Sequence, residues 1–188
     1  CTDPAALNYD ETATLDDGSC VLDQCPGDDT MVFFEMNDSW GDGWNGNTYE
    51  VFANGNLIAS GTLDSSYTET GGIPGGPTFG VDIICLPNNV CMEVVSGGGG
   101  FLGEISWTMI NAYTGIPIAA DGGGGSVEFY FGDTAETCGC TDATALNFDG
   151  NATLDDGSCV YPSCPTGETL VQFVMYDTLG DGWDGSTY

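Results

Sequence analysis

A loop that occurs twice in this sequence carries oxygen-bearing side chains at short, regular spacings. In "DSWGDGWNG", Asp38, Asp42 and Asn45 lie three or four residues apart, separated by glycines that let the backbone fold tightly. Near the end of the chain the same positions are Asp177, Asp181 and Asp184. Because Ca²⁺ binds six to eight oxygens from carboxylates, amides and backbone carbonyls, the pattern predicts a calcium site. The alternative is a tight turn in which Asp and Gly serve the backbone geometry and the tryptophans serve the core.

A second set of acidic and amide residues lies in a short segment bounded by cysteines. Its members in the first copy are Asp3, Asn8, Asp10, Asp16 and Asp17. In the second copy they are Asp142, Asn147, Asp149, Asp155 and Asp156. These residues are candidate calcium ligands, and the alternative is a set of solvated acids whose side chains form local Asx-turns.

The charge of the chain is one-sided, with 29 acidic residues and no Lys, Arg or His. Two carboxylates about 4 Å apart repel by roughly 1 kcal/mol in water and about 4 kcal/mol near a protein surface. Cations from the surroundings must therefore neutralise the crowded acids. The composition excludes nucleic-acid binding through phosphates and attraction to an anionic membrane surface, since both need basic side chains. No apolar run approaches the ~20 residues that a membrane span needs.

Most catalytic groups are missing from the sequence. Without His there is no Ser-His or Cys-His arrangement, and without Lys there is no Schiff base and no P-loop. Pairs of carboxylates can hydrolyse glycosides, but the acids here cluster in glycine-rich loops. We therefore expect that the protein is not an enzyme.

The cysteines favour disulfides over metal binding, because the chain has no His and no CxxC pair. Disulfides imply an oxidising, extracellular compartment. Cys1 and Cys20, like Cys140 and Cys159, bracket a small module that needs a covalent staple. A bridge from Cys25 to Cys138 would join the two ends of the following domain, and Cys85 and Cys91 flank a segment that a bridge could close as a turn. Six cysteines allow fifteen pairings, so the pairing beyond Cys1–Cys20 stays open.

The sequence repeats itself, and the second copy begins at Cys140. Aligning 1–49 with 140–188 gives 30 identities in 49 positions. Such self-similarity is typical of tandem arrays, and we expect the chain to be a segment of something longer. One full unit then spans 1–139 and contains six cysteines, an even number. We expect the remaining three cysteines to belong to a second, incomplete unit that continues beyond Tyr188.

Each unit divides into two parts. We predict a small Asp-rich disulfide module at 1–24, a β-domain at 25–138, a second small module at 139–163, and the opening of another β-domain at 164–188. Short apolar strands separated by glycine-rich turns predict an all-β fold, an antiparallel β-sandwich or jelly roll. Asn54-Gly55 between two β-rich runs is the strongest hairpin signal.

"CTDPAALNYDETATLDDGSC" resembles a cysteine-bounded, Asp-rich module of very large secreted repeat proteins from surface-living bacteria and unicellular algae. It is also loosely similar to the calcium-wrapped thrombospondin type 3 repeat. "NDSWGDGWNGNTYEV", "CLPNNVCMEVV" and "GEISW" resemble the β-domain that often accompanies that module. The resemblance implies extracellular surface or matrix material and suggests calcium.

The function that these features predict is structural: a segment of an extracellular fibre or cell-surface stalk whose partners are other copies of the repeat. Neighbouring units need contact only one another in such an array, and they can also share strands across a junction. The alternative is a Ca²⁺-dependent module for carbohydrate binding and adhesion, with Trp40 and Trp44 as exposed platforms for sugars. Two sequons, at Asn37 and Asn151, are candidate N-glycosylation sites.

Overall fold

The computed structural model describes residues 1–64 and 77–163, and it confirms the predicted all-β fold. Eight main strands and a short ladder follow in chain order: β1 (Thr30–Asp38), β2 (Thr48–Ala53), β3 (Asn56–Gly61), β4 (Phe79–Leu86), β5 (Val90–Gly97), β6 (Ile105–Asn111), β7 (Pro117–Gly122), β8 (Gly125–Phe131), β9 (Cys138–Gly139) and β10 (Leu154–Asp155). One turn of 3₁₀ helix, Leu102–Glu104, precedes β6. No helix within the described ranges is long and apolar enough to cross a membrane.

The eight main strands form two four-stranded antiparallel sheets. One has the order β4-β1-β6-β7 and the other the order β3-β2-β5-β8. Strands β1 and β5 are central in their sheets, and both alternate buried and partly exposed residues along most of their length. This period of two turns one face of each sheet towards the core, which is the arrangement of a sandwich.

The core lies between the two sheets and contains large apolar side chains from both. Phe34 of β1 stacks against Tyr49 of β2, with ring centroids 4.0 Å apart, and against Trp107 of β6 at 5.2 Å. Trp44, from the loop after β1, is also fully buried in this cluster. Aromatic stacking adds about 0.5–1.5 kcal/mol to the free energy that burial alone provides. The loop containing Trp44 is therefore anchored to the core.

The hairpin between β2 and β3 has the geometry that its sequence predicts. Asn54 and Gly55 form a two-residue turn between the paired residues Ala53 and Asn56. Both turn residues have positive φ, 45° and 73°, and a type I′ turn requires this at both central positions.

The disulfide pairing of the β-domain differs from the two bridges considered from sequence. Cys25 pairs with Cys85, and Cys91 pairs with Cys138, so neither a Cys25–Cys138 nor a Cys85–Cys91 bridge exists. The reason is the path of the chain: β4, which ends near Cys85, and β5, which begins near Cys91, belong to different sheets. Each cysteine consequently meets a partner on its own side of the sandwich. The small modules contain the bridges Cys1–Cys20 and Cys140–Cys159.

The two small modules lie against different parts of the β-domain. The first module, residues 1–24, covers the outer face of the sheet that contains β1 and β4, where it lines a cleft together with Phe33 and Val81. The second module, residues 139–163, begins at the β9–β10 ladder and approaches the β2–β3 hairpin, with Gly157 packed on the backbone of Asn54. Residues 164–188 lie outside the described part of the chain, so strand sharing across a junction stays a prediction.

Candidate cation site at the acidic loop

The acidic loop, residues 38–46, is organised around the buried carboxylate of Asp38. Its Oδ1 accepts a hydrogen bond from the backbone N–H of Trp40 at 3.0 Å. Its Oδ2 accepts three more, from the N–H groups of Gly41, Asp42 and Gly43 at 2.9, 2.8 and 2.7 Å. Burial raises the pKa of this carboxyl, but the four donors together outweigh it, so the pKa lies below its usual value of 3.8. Asp38 therefore stays ionised and shapes the loop from within.

The fold of the loop depends on residues that accept left-handed backbone conformations. Gly41 and Gly43 have φ of 96° and 90°, and Asn45 has φ of 51°. The amide Nδ2 of Asn45 donates to Oδ1 of Asp42 at 2.9 Å and to the carbonyl of Gly43 at 3.0 Å. With its amide in this orientation, Asn45 acts as a brace within the loop and does not turn its oxygen towards Asp42.

A buried side chain, Asn47, ties the acidic loop to the glycine run at 97–100. Its Nδ2 donates to the carbonyls of Trp44 and Gly100, each at 2.6 Å, and its Oδ1 accepts from the N–H of Gly99 at 2.8 Å. A Cβ at Gly99 would lie 2.3 Å from the backbone nitrogen of Asn47. Only glycine therefore allows this close approach. The approach in turn brings the following segment, 101–104, beside the acidic loop.

Glu104 is the third carboxylate of the site. One carboxylate oxygen from each of Asp38, Asp42 and Glu104 lies within 4.8 Å of the others. Burial raises the pKa of Glu104 above its usual 4.5, and the charges of Asp42 and Asp38 raise it further. The backbone fixes the contact, since the carbonyl of Glu104 accepts a hydrogen bond from the N–H of Ser39 at 2.9 Å. Three hard oxygen donors converging from two loops are the type of ligand that Ca²⁺ takes.

Two exposed aromatic side chains flank these carboxylates. Trp40 is 77 % exposed and Phe101 is 69 % exposed. With Asp42 and Glu104 they line an open cleft of about 350 Å³. Phe101 has a φ of 55°, which is uncommon for a bulky residue. The expectation that Trp44 is a second exposed platform is wrong, because its ring is fully buried and its Nε1 donates to the carbonyl of Asn37 at 3.0 Å.

The predicted ligands of the second loop, Asp177, Asp181 and Asp184, lie outside the described residues. In the first loop, the structure brings together Asp38 and Asp42 of the predicted set and adds Glu104, whereas Asn45 braces the backbone. Glu104 is far from Asp42 along the chain, and no local spacing in the sequence signals that they meet. The nearest signal is indirect: the glycine run that precedes Glu104 indicates a close backbone approach.

The acids of the small modules serve local turns. Asp10 and Asp17 each accept hydrogen bonds from the backbone N–H and the hydroxyl of the residue two positions later, Thr12 and Ser19. Similar i to i+2 bonds to backbone N–H groups occur at Asp3, Asp16, Asp142, Asp149, Asp155 and Asp156. The hydrogen bonds with Ser19 hold the pKa of Asp17 at about 2. This is the Asx-turn geometry of the alternative interpretation.

The two module asparagines act as cross-braces. Asn8 donates to the carbonyl of Ser19 and accepts from the N–H of Val21, and Asn147 repeats both bonds in the second module. In the described ranges, no three carboxylates of either small module lie within 4.8 Å of one another. Asp155 does lie near the sulfurs of Cys140 and Cys159, but these form a disulfide and offer no thiolate to a metal.

The two candidate glycosylation sites differ in exposure. Asn151 is exposed, and its Nδ2 contacts the carboxylate of Asp149 at 3.1 Å. Asn37 is partly buried within β1. N-glycosylation stays a prediction at both positions.

Comparisons with known proteins give no relative to argue from. No family model matches the chain, and neither do any curated protein or any solved structure. What the protein does has therefore to be inferred from its own geometry.

Proposed function

We propose that the chain is a structural segment of an extracellular fibre or cell-surface stalk, built from tandem units that each correspond to residues 1–139 and made rigid by disulfides. The partners in this role are other copies of the same repeat. Four disulfides in the described ranges suit an oxidising compartment outside the cytoplasm. The main support for the proposal is the short covalent path that the disulfides provide for a force pulling along the chain.

The two disulfides of the β-domain create a short covalent path through it. A force entering at Cys25 passes through its bridge to Cys85, along residues 85–91, and through the bridge of Cys91 to Cys138. The Cα–Cα spans of the bridges, 5.3 and 5.7 Å, and six backbone steps of about 3.5 Å give a fully stretched length of about 32 Å. Apart from the end of β4 and the start of β5, the strands of both sheets lie outside this path. Pulling therefore cannot unravel the domain, which is what a link under tension requires.

Both small modules continue this path. Cys1–Cys20 and Cys140–Cys159 each close a loop with a sequence separation of 19 residues. A single residue, Gly139, separates the last bridge of the β-domain at Cys138 from the bridge of the second module at Cys140. The load therefore passes almost directly from one cystine to the next at this joint.

Single-molecule force spectroscopy tests the load path. A chain tethered at its two ends should unfold with little gain in length while oxidised. Without the bridges, the segment from Cys25 to Cys138 would extend to about 400 Å, because the 60 and 47 residue steps then join the path. The paired change Cys25→Ser and Cys85→Ser should release only the first loop, about 200 Å. An oxidised wild-type chain that lengthens by about 400 Å would refute the load path.

The array itself is tested by electron microscopy of the protein in its native material. The proposal expects long, thin structures with a regular axial repeat. Isolated compact particles without periodic contacts would contradict it. Labelling with an antibody against residues 1–163 would show that the filaments contain this chain.

Calcium is part of the proposed role. One carboxylate oxygen from each of Asp38, Asp42 and Glu104 would hold the ion, with the remaining ligands from backbone carbonyls and water. Support comes from the donor set, three hard oxygens within 4.8 Å of one another. It also comes from the raised pKa of Glu104, which burial raises first and the charges of Asp42 and Asp38 raise further, since a cation would relieve that repulsion. At millimolar Ca²⁺ and a Kd near 10⁻⁴ M, the site would add about 1.4 kcal/mol to stability. A chelator that leaves the thermal midpoint unchanged would exclude this role.

One observation favours a second candidate function, Ca²⁺-dependent carbohydrate binding. The exposed rings of Trp40 and Phe101 line the same cleft as the carboxylates of Asp42 and Glu104. Aromatic faces pack on sugars, and a bound cation can coordinate sugar hydroxyls. A glycan array with and without chelator tests it, with Trp40→Ala as the variant that should lose binding. If no glycan binds saturably in the presence of calcium, the carbohydrate-binding function is excluded and only the structural role remains.

A further inference from the structure

The two small modules have similar sequences but contact the β-domain through different surfaces. In the first module, Ala6 and Val21 are 8 % exposed, and Leu7 is partly buried. We call these three residues the sheet-facing surface. Their equivalents in the second copy are Ala145, Leu146 and Val160. In the second module, Leu146 is 67 % exposed and Val160 is 52 % exposed.

The pattern is reversed on the other side of the module. In the second module, Leu154 pairs with Cys138, and Gly157 packs on the carbonyl of Asn54, where a Cβ would lie 2.6 Å away. We call Leu154, Asp156 and Gly157 the hairpin-facing surface. In the first module the equivalent Leu15 is 84 % exposed, and a Cβ at Gly18 would meet nothing within 4 Å.

The structure shows what covers the sheet-facing surface where it is buried. Leu7 and Val21 border a cleft of about 260 Å³ whose other wall is the outer face of β1 and β4. The residues of that wall are Phe33, Glu35, Phe79 and Val81, with Ala112 after β6. Val81 is itself buried on this outer face, away from the core between the sheets. A sheet face of a β-domain is thus the established partner of this surface in the first module.

We propose that the sheet-facing surface of the second module, with Leu146 and Val160 exposed and Ala145 partly buried, is a docking site for the outer sheet face of the β-domain that the repeat predicts from Cys164 onwards. Each small module is then a two-sided connector that binds the β-domain before it with one surface and the β-domain after it with the other. This inference rests on the proposed tandem array and names the contacts that make its joints rigid.

The sequence that follows the second module suits this partner. Cys164 follows Val160 at the same spacing as Cys25 follows Val21. In the sequence alignment, Gln172 and Val174 match Phe33 and Glu35, so this pair again consists of one apolar and one polar residue. Leu146 and Val160 are two exposed branched aliphatic side chains on one surface, and removing such side chains from water favours docking.

The test adds a complete second β-domain to the chain. The protein consists of residues 1–163 followed directly by another copy of residues 25–139, the β-domain whose fold is described above. A soluble paramagnetic reagent then reports by NMR how accessible each leucine and valine methyl group is to solvent. Leu146 and Val160 should fall from high accessibility in the 188-residue chain to the low level of Leu7 and Val21. Leu15 is the matched control and should stay accessible in both proteins.

A second protein keeps the native residues, with the 188-residue chain extended after Tyr188 by its own residues 50–139. Protection of Leu146 and Val160 in either folded protein supports the proposal. Methyl groups that remain as accessible as Leu15 in both proteins overturn it. This test can fail independently of the proposed fibre. Regular filaments in which Leu146 is unprotected would mean that the fibre exists but its joints are flexible. Protected methyl groups in a protein that forms no filaments would support the connector role of the small module and contradict the proposed fibre.

Discussion

Oδ2 of Asp38 and the backbone N–H of Gly43 form the shortest of the four hydrogen bonds that close the acidic loop, at 2.7 Å. The loop in turn positions Trp44 in the core. Asp38→Ala should therefore destabilise the protein by about 3 kcal/mol, because four backbone N–H donors, that of Gly43 among them buried, lose a charged acceptor. Urea denaturation measures the change. Glu11→Ala is the control, since Glu11 is exposed in the first module and surface substitutions usually stay within about 0.5 kcal/mol. Equal losses for the two variants would contradict this role of Asp38.

The two carboxyl groups of the site should respond to pH in opposite directions. The pKa of Asp38 is lowered, so its contribution is present above pH 3.8 and is lost as the pH falls through the lowered pKa. The pKa of Glu104 is raised above 4.5, so ionisation of Glu104 destabilises the folded state, and stability returns as the pH falls through the raised pKa towards 4.5.

Glu104→Gln isolates the second effect. In chelator at pH 7, this variant should have a higher thermal midpoint than the wild type, and the difference should vanish as the pH falls to about 4.5. Thermal denaturation followed by circular dichroism at a series of pH values measures it. A difference that is independent of pH would show that the raised pKa is not the cause.

Calcium should reverse the order of the thermal midpoints of the wild type and Glu104→Gln. With calcium added, the thermal midpoint of the wild type should rise, and the rise should be largely lost in Glu104→Gln, because a neutral amide replaces a ligand carboxylate. Glu11→Gln, at an exposed position in the first module, is the matched change in charge and should keep the full calcium response. Isothermal titration calorimetry gives the affinities. An unaltered response in Glu104→Gln would exclude Glu104 as a ligand.

Two glutamates with like charge face each other across neighbouring strands. Glu93 of β5 lies directly opposite Glu128 of β8 in the antiparallel register. Because like charges in such positions repel, Glu128→Lys should stabilise the protein by about 0.5 kcal/mol at low salt. Chemical denaturation measures the gain, which salt should reduce by screening. Glu50→Lys places the same charge on β2 opposite Val95 and Ser60 and should give a smaller gain.

Two equivalent glycines offer a test of how the second module is held. Gly18 and Gly157 both have a φ of 79°, so an alanine strains the backbone equally at each. Only at Gly157 does the added Cβ collide with the carbonyl of Asn54. Gly157→Ala should therefore loosen the second module from the hairpin, whereas Gly18→Ala should leave the first module docked.

Hydrogen exchange measures this difference. In Gly157→Ala, the amide of Leu154, which donates to the carbonyl of Thr137, should exchange faster than in the wild type. In Gly18→Ala, the amide of Leu7, which donates to the carbonyl of Val21, should keep its protection. Unchanged exchange at Leu154 would mean that the module is held by other contacts.

Features that depend on local sequence could be predicted. The short apolar run "MVFFEM" predicts β1, and Asn54-Gly55 predicts the hairpin, because both reflect the preferences of neighbouring residues. The Cys1–Cys20 bridge is local for the same reason. The repeat also predicts that Asn8 and Asn147 have the same role, and both make the same pair of hydrogen bonds.

Features that depend on how distant segments meet could not be predicted. The bridges of Cys25 and Cys91 follow from the division of β4 and β5 between two sheets, which no spacing reveals. Glu104 reaches Asp42 only because the glycine run allows a close approach to Asn47. Trp44 has the same residue type as the exposed Trp40, and only the three-dimensional path of the loop decides which ring enters the core.

Gly139 alone separates Cys138 from Cys140, and it has a consequence for shape. One residue between two cystines leaves few rotatable bonds, and the β9–β10 ladder fixes most of them. If every unit repeats this joint, each turns by the same angle and advances by the same distance relative to its predecessor. Identical steps of that kind trace a helix, so the pitch and handedness of the assembled polymer would be encoded in this glycine linkage together with the contacts between each small module and the β-domain after it.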